Sequence, residues 1–242
     1  MLTGDENITL ILGNFGSGKT EAAVNFAIHL AAGKLKESVT LVDLDLVNPY
    51  FRSREPRKIL ESHGVRVIIP DTKYLYADLP ILVPEVRSTI MASTSYVILD
   101  VGGDDVGAKV LGSLNDALSE TPYRALMVLN GLRPFTSTSR GIIKIMKEIE
   151  SAGKITITGF VSNTHLMEET TVDTVLSGYE LARETEEATG RPLEFVCVPE
   201  KLVDDVKGKV TEDVLPITRY LAPEWAVGQG GEIKAGKDLF RL

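Results

Sequence analysis

Eight consecutive residues constrain this chain more than anything else in it: Gly13-Asn14-Phe15-Gly16-Ser17-Gly18-Lys19-Thr20. They satisfy the phosphate-loop pattern G-x-x-x-x-G-K-[ST] at every required position. The apolar run Ile8-Thr9-Leu10-Ile11-Leu12 precedes them and reads as a buried strand. Residues 21–32 follow, rich in alanine, and read as a helix with Ala23, Phe26, Ala27 and Leu30 on one face. Strand, glycine-rich bend and helix start turn a pattern match into a site. Without Cβ atoms the main chain wraps an anion closely, its amides point inward, and the helix N-terminus adds partial positive charge. On this reading Lys19 reaches the β- and γ-phosphates of a nucleotide, and the Thr20 hydroxyl ligates Mg²⁺.

The rest of the chain suits such a site. Its 242 residues are enough for one α/β domain, and an apolar share of 43% is enough for a core. A net charge of −8 argues against broad nucleic-acid or anionic-membrane binding. The single cysteine, Cys197, excludes an internal disulfide and any site held by paired cysteines of one chain. It falls in Leu193-Glu194-Phe195-Val196-Cys197-Val198, where a buried strand thiol is expected. Acidic Asp5 and Glu6 stand where a signal peptide would be basic, and no apolar run approaches the length of a membrane span. These features predict a cytoplasmic protein.

Apolar runs alternate with helical patterns along the chain. Strands are expected at 38–43, 65–69, 96–100, 125–129, 156–161 and 195–198, the last of the series. Helices are expected at 55–63, 85–92, 109–118, 139–152 and 172–188. Residues 70–84 read as a loop that could line a substrate pocket through Lys73, Tyr74 and Tyr76. Near-continuous apolar strands separated by crossover helices mean a mostly parallel sheet of seven or eight strands in a three-layer α/β/α fold. Residues 1–223 form that domain, and 224–242 form a tail or an arm that contacts a partner. In such sheets ligands bind beyond the carboxyl ends of the strands.

Functional side chains are therefore sought at strand ends. Asp43 and Asp45 close the second strand in Leu41-Val42-Asp43-Leu44-Asp45, and two-residue alternation points both the same way. One would hold Mg²⁺ and the other orient an attacking water; the plainer alternative is a polar strand terminus before an Asn48-Pro49 turn. Asp100 closes Val97-Ile98-Leu99-Asp100-Val101-Gly102-Gly103, an arrangement that delivers a carboxylate to the Mg²⁺ shell, with a glycine amide able to approach the γ-phosphate. Asp104 and Asp105 read as helix N-terminal charges. Asn163, at the end of a later strand, suits the edge of a purine base, with Pro199 and Glu200 as the other wall. Nothing in these residues separates adenine from guanine.

Taken in order, the phosphate loop, the Asp-x-Asp, the Leu-Asp-x-Gly-Gly and the late Asn resemble the MinD/ParA/CobQ class of P-loop NTPases, which includes nitrogenase-reductase-like and nickel-insertion ATPases. The resemblance covers roughly residues 7–205. It implies an ATPase with Mg²⁺ and ATP, and a homodimer that closes on ATP. It also implies that Asp45 positions the hydrolytic water, with Asp43 and Asp100 around the metal. The class carries a second lysine early in the phosphate loop, where this chain has Asn14, which brings no charge. Arg52 or Arg54, just past the Asp-x-Asp, is one candidate replacement; two solvated surface arginines is the other reading. Three functions fit. A nucleotide-driven switch would act on a protein partner, as in metalloenzyme maturation. An ATP-dependent ligase or kinase would act on a small molecule. A binding module would have no turnover.

Overall fold

Strands and helices alternate from β1 to β8 because apolar runs alternate with amphipathic ones. The computed structural model describes residues 6–33, 38–45, 54–69, 83–92, 95–103 and 105–220. Its elements in order are β1 (Ile8–Leu12), α1 (Lys19–Ala32), β2 (Val39–Leu44), α2 (Arg54–Ser62), β3 (Val65–Ile68), α3 (Val83–Ala92), β4 (Tyr96–Val101) and α4 (Asp105–Ser119). They continue with β5 (Arg124–Leu129), α5 (Ser139–Gly153), β6 (Gly159–Ser162), α6 (Val172–Thr189), β7 (Leu193–Pro199), α7 (Val203–Val206) and β8 (Asp213–Ile217). All eight strands join one sheet in the order β3-β2-β4-β1-β5-β6-β7-β8, and every pairing is parallel. The central strands β1, β2, β4 and β5 are buried along their whole length, as a sheet covered on both faces requires.

Alternation splits the sheet's side chains between two cores. Leu10, Leu12, Leu99 and Val101 face the layer that includes Val86 and Ile90 of α3, Leu114 of α4 and Ile142 of α5. Ile11, Leu41 and Ile98 face Ala23, Phe26 and Leu30 of α1 and Leu60 of α2. Fully buried Phe26 stacks on Phe195 with ring centroids 5.4 Å apart. Burying one such ring contributes about 1.5–3 kcal/mol. Helix ends are locally encoded. Thr138 caps α5 by accepting the Gly141 amide at 3.1 Å, Thr171 and Thr174 form a capping box on α6, and Gly190 ends α6 with φ 71°.

Four expectations need correction. β7 is not the last strand: β8 pairs with it, and Leu215 is fully buried. Pro216 masked β8 in the sequence, but at a sheet edge a missing N–H is tolerated. Residues 156–158 are not ladder-paired. Ile157 N donates to Glu150 Oε1 at 2.9 Å, and the Thr158 hydroxyl and amide serve Ala125, so β6 starts at Gly159. Helix α4 starts at Asp105 rather than 109, with Asp105 as its first residue. Val83 and Pro84 belong to α3 rather than to a loop, proline being accommodated in a first helical turn. The proposed pocket wall at 70–82, Asp104, Arg52, the side chain of Arg54 and the 224–242 tail lie outside the described residues. Among the described residues no helix is long and apolar enough to cross a membrane.

Candidate nucleotide-binding site

Strand register assembles the acidic residues. Asp43 of β2 pairs with Asp100 of β4, and Ile11 of β1, at the root of the phosphate loop, pairs with Asp100 from the other side. Tyr96 and Ile98 face the α1 layer, so alternation along β4 sends Asp100 to that side, and Asp43 shares it. Asp43 is buried, and its Oδ1 accepts the Asp45 amide at 3.0 Å. Half-buried Asp45 lines the cavity described below.

The phosphate loop runs from Gly13 into α1. Gly18 sits at its helix end with φ 82°, and a Cβ there would lie 2.4 Å from Asn163 Nδ2, so both backbone and space demand glycine. Buried Lys19 folds back over the loop, its Nζ 3.4 Å from the Asn14 carbonyl. The Asn14 side chain is turned onto the loop, accepting the Phe15 amide at 2.8 Å. Gly103, in the bend after β4, packs against this loop. A Cβ on it would meet Lys19 Nζ at 2.8 Å and Phe15 N at 3.2 Å.

Asp100 has no exposed surface, and among the described residues neither carboxyl oxygen finds a hydrogen-bond partner of ordinary geometry. Burial pushes its pKa from 3.8 up to about 7, against the pull of the Lys19 ammonium and the nearby Thr20 hydroxyl, with Asp45 adding a small upward push. Buried lone pairs left unfilled call for a missing ligand. Among the described residues no group of three or more His, Cys, Asp or Glu could hold a metal alone. Mg²⁺ usually takes one or two carboxylates beside phosphate oxygens and waters. The Thr20 hydroxyl with Asp43 and Asp100 fits an ion that arrives with a nucleotide.

Beside these residues opens a cavity of about 740 Å³, within the range of small-molecule sites. Gly16, Gly18, Lys19, Thr20, Asp45 and Gly103 line it, together with Asn163, His165, Cys197, Pro199, Glu200 and Thr218. Buried Asn163 donates from Nδ2 to the Ser17 carbonyl at 2.7 Å, so it holds the phosphate loop. Burial together with the Arg133 and Arg219 charges lowers the His165 pKa to about 4, leaving a neutral ring at pH 7. Cys197 is a buried free thiol whose pKa burial raises.

Thr218 and Arg219 line another wall of the cavity, and Tyr220 follows them. Asn25 of α1 grips Thr218 twice, donating to its carbonyl and accepting its amide, both at 2.9 Å. Glu21 accepts the Tyr220 amide at 2.8 Å. Arg219 pairs with Glu168, and the Thr218 hydroxyl donates to Glu200 at 3.0 Å. The structure thus brings Lys19, Thr20, Asp45, Asn163 and Pro199 to one cavity, with Asp43 and Asp100 beneath it. Sequence reasoning missed Arg133, His165 and the 218–220 wall. For Arg133 the available signal was its place just past the carboxyl end of β5.

No protein-family model and no curated protein matches the sequence. Solved structures do match. The chain superposes on the cell division protein FtsY of Thermotoga maritima with a TM-score of 0.56 and 18% identity, over 80% of this chain and 62% of that one. Chloroplast FtsY of Physcomitrella patens gives 0.53 and 17%, over 80% and 59%. FlhF complexed with GTP and Mg²⁺ gives 0.50 and 14%, over 78% and 64%. The chain spans about three-fifths of the length of these structures. Identity this low shows the fold alone: a parallel sheet with helices on both faces, shared with FtsY and FlhF.

Proposed function

We propose that this chain binds and hydrolyses a Mg²⁺-bound purine nucleoside triphosphate, ATP in the first reading, and works as a nucleotide-dependent switch on a protein partner. The observation that carries this is the orphaned Asp100 carboxylate beneath a complete phosphate loop, with Lys19 and Thr20 beside it. Phosphate oxygens take the loop amides and the Lys19 ammonium. Asp45, on the cavity wall, holds the attacking water. Bound Mg²⁺ would offset charge on the triphosphate as it is cleaved. The loop after β4, against Lys19 at Gly103, is the element that changes when the γ-phosphate leaves.

The Asn163 amide can accept from an adenine amino group or donate to guanine O6, so ATP is named first on the resemblance of the motif order to the MinD/ParA/CobQ ATPases. A second reading, GTP, draws on the fold neighbour FlhF, whose structure holds GTP and Mg²⁺, and on Glu168 and Glu200, carboxylates that could accept guanine N–H groups. A protein partner is supported by exposed Phe15, Leu132, Phe135, Leu166 and Met167. They lie in the loops after β1, β5 and β6, at the carboxyl edge that opens onto the cavity. Phosphate release from Mg·ATP and Mg·GTP tests the proposal. Slow release by the chain alone, dependent on Mg²⁺ and raised by a protein partner, is expected. Release that requires a small-molecule acceptor would make the protein a ligase or kinase instead.

A further inference from the structure

Arg133 enters the cavity from the loop after β5 and flanks the phosphate loop from outside. Its Nε donates to the Gly16 carbonyl at 2.9 Å, and buried Asn130 reaches the same oxygen at 3.4 Å. The guanidinium lies against the loop, since a methyl group added at Gly16 would come within 2.8 Å of Nε, 3.0 Å of Cζ and 3.3 Å of Nη2. Among the described residues no carboxylate pairs with it, whereas Arg219, the other arginine of the cavity, is paired with Glu168. An uncompensated, part-buried cation on the wall of a cavity attracts an anion, and a low local dielectric strengthens that attraction. Within the phosphate loop only Lys19 is charged; the neutral Asn14 side chain is turned onto the Phe15 amide.

We propose that Arg133 is a nucleotide-binding residue that supplies the second positive charge of the phosphate site, with its Nε anchored to the loop and its cation acting on the bound triphosphate. This rests on the nucleotide reading above and extends it to a residue outside the motif. The competing role is a neutral brace that only shapes the loop. One substitution separates them. Glutamine places Nε2 as many bonds from Cα as the arginine Nε, so Arg133→Gln keeps the donor to Gly16 and deletes the charge. Arg133→Lys keeps the charge.

The test is calorimetric titration of Mg·ATP and Mg·GTP into the parent, R133Q and R133K, with melting of each nucleotide-free protein alongside. R133Q is expected to melt within about 2 °C of the parent and to bind its triphosphate about tenfold more weakly, with R133K within about threefold of the parent. R133Q binding as tightly as the parent, or R133K no better than R133Q, overturns the proposal. Should R133Q melt far below the parent, R133A titrated with ethylguanidinium and with ethylurea gives the same decision. Recovery with the cation alone supports the charge; recovery with both or neither overturns it. A parent that binds neither triphosphate contradicts the site itself, a result distinct from equal binding by parent and R133Q.

Discussion

Asp100 costs the folded chain stability when it ionises without a bound metal ion, because its oxygens are buried and burial outweighs the pull of Lys19 and Thr20. Its folded pKa of about 7 lies above the ordinary value of 3.8, so the native state holds a proton that the unfolded chain releases between those values. Its stabilising contribution is complete below about pH 4 and is lost as pH rises through about 7. Asp100→Asn removes this penalty. The nucleotide-free variant should melt about 5 °C above the parent at pH 8, with the gap closing near pH 4, while Mg²⁺-dependent phosphate release falls by about 100-fold or more. Thermal melts at both pH values and a phosphate assay check this; a variant that melts lower at pH 8 contradicts it. Asn163→Ala tests the neighbouring contact. It leaves the Ser17 carbonyl without its 2.7 Å donor, at a cost of about 1–3 kcal/mol, and should weaken triphosphate binding about tenfold. Unchanged affinity by calorimetry would show that Asn163 serves neither loop nor base.

At the scale of elements, α1 joins the two ends of the cavity. It starts in the phosphate loop, and its Asn25 and Glu21 hold the main chain of residues 218–220, some 193 residues away in sequence for Asn25 and Thr218. Asn25→Ala should cost about 1–3 kcal/mol and raise amide exchange at Thr218 and Tyr220 at least tenfold, with little change in β1 or β5. Exchange at those amides equal to the parent's would mean that β7 alone holds the wall. This clasp was not legible in the sequence. Asn25 sits in an alanine-rich helix and Thr218 follows a strand hidden by Pro216, and neither carries a local signal. β1, β4 and β5 were legible because a strand buried on both faces must be apolar throughout. The phosphate loop was legible because glycines, lysine and threonine are needed at fixed spacing. Arg133 offered only its place past the carboxyl end of β5, and His165 offered no signal, because both reach the loop only through the β1–β5–β6 neighbourhood in the sheet.

Across the whole molecule, β4, β1 and β5 lie side by side at the centre of the sheet, and the ends of β2, β4, β1, β5, β6 and β7 supply the cavity and the acids beneath it. β1 lies between β4 and β5, so the crossovers through α1 and through α4 depart to opposite sides of it, the crevice where open parallel sheets bind ligands. The acids come from one side of that centre and the wall at Asn163 and Pro199 from the other, so a nucleotide bridging them should order both. At saturating Mg²⁺-bound triphosphate, about 100 times Kd, the parent should gain about 2.7 kcal/mol, or several degrees in melting temperature. No gain with either purine triphosphate would argue against a ligand spanning the cavity. The direct test is calorimetric titration of Mg·ATP and Mg·GTP into the parent and Lys19→Ala. Saturable one-site binding of at least one triphosphate by the parent, abolished in Lys19→Ala, is predicted. Equal binding by both proteins, or none by the parent, would contradict the account.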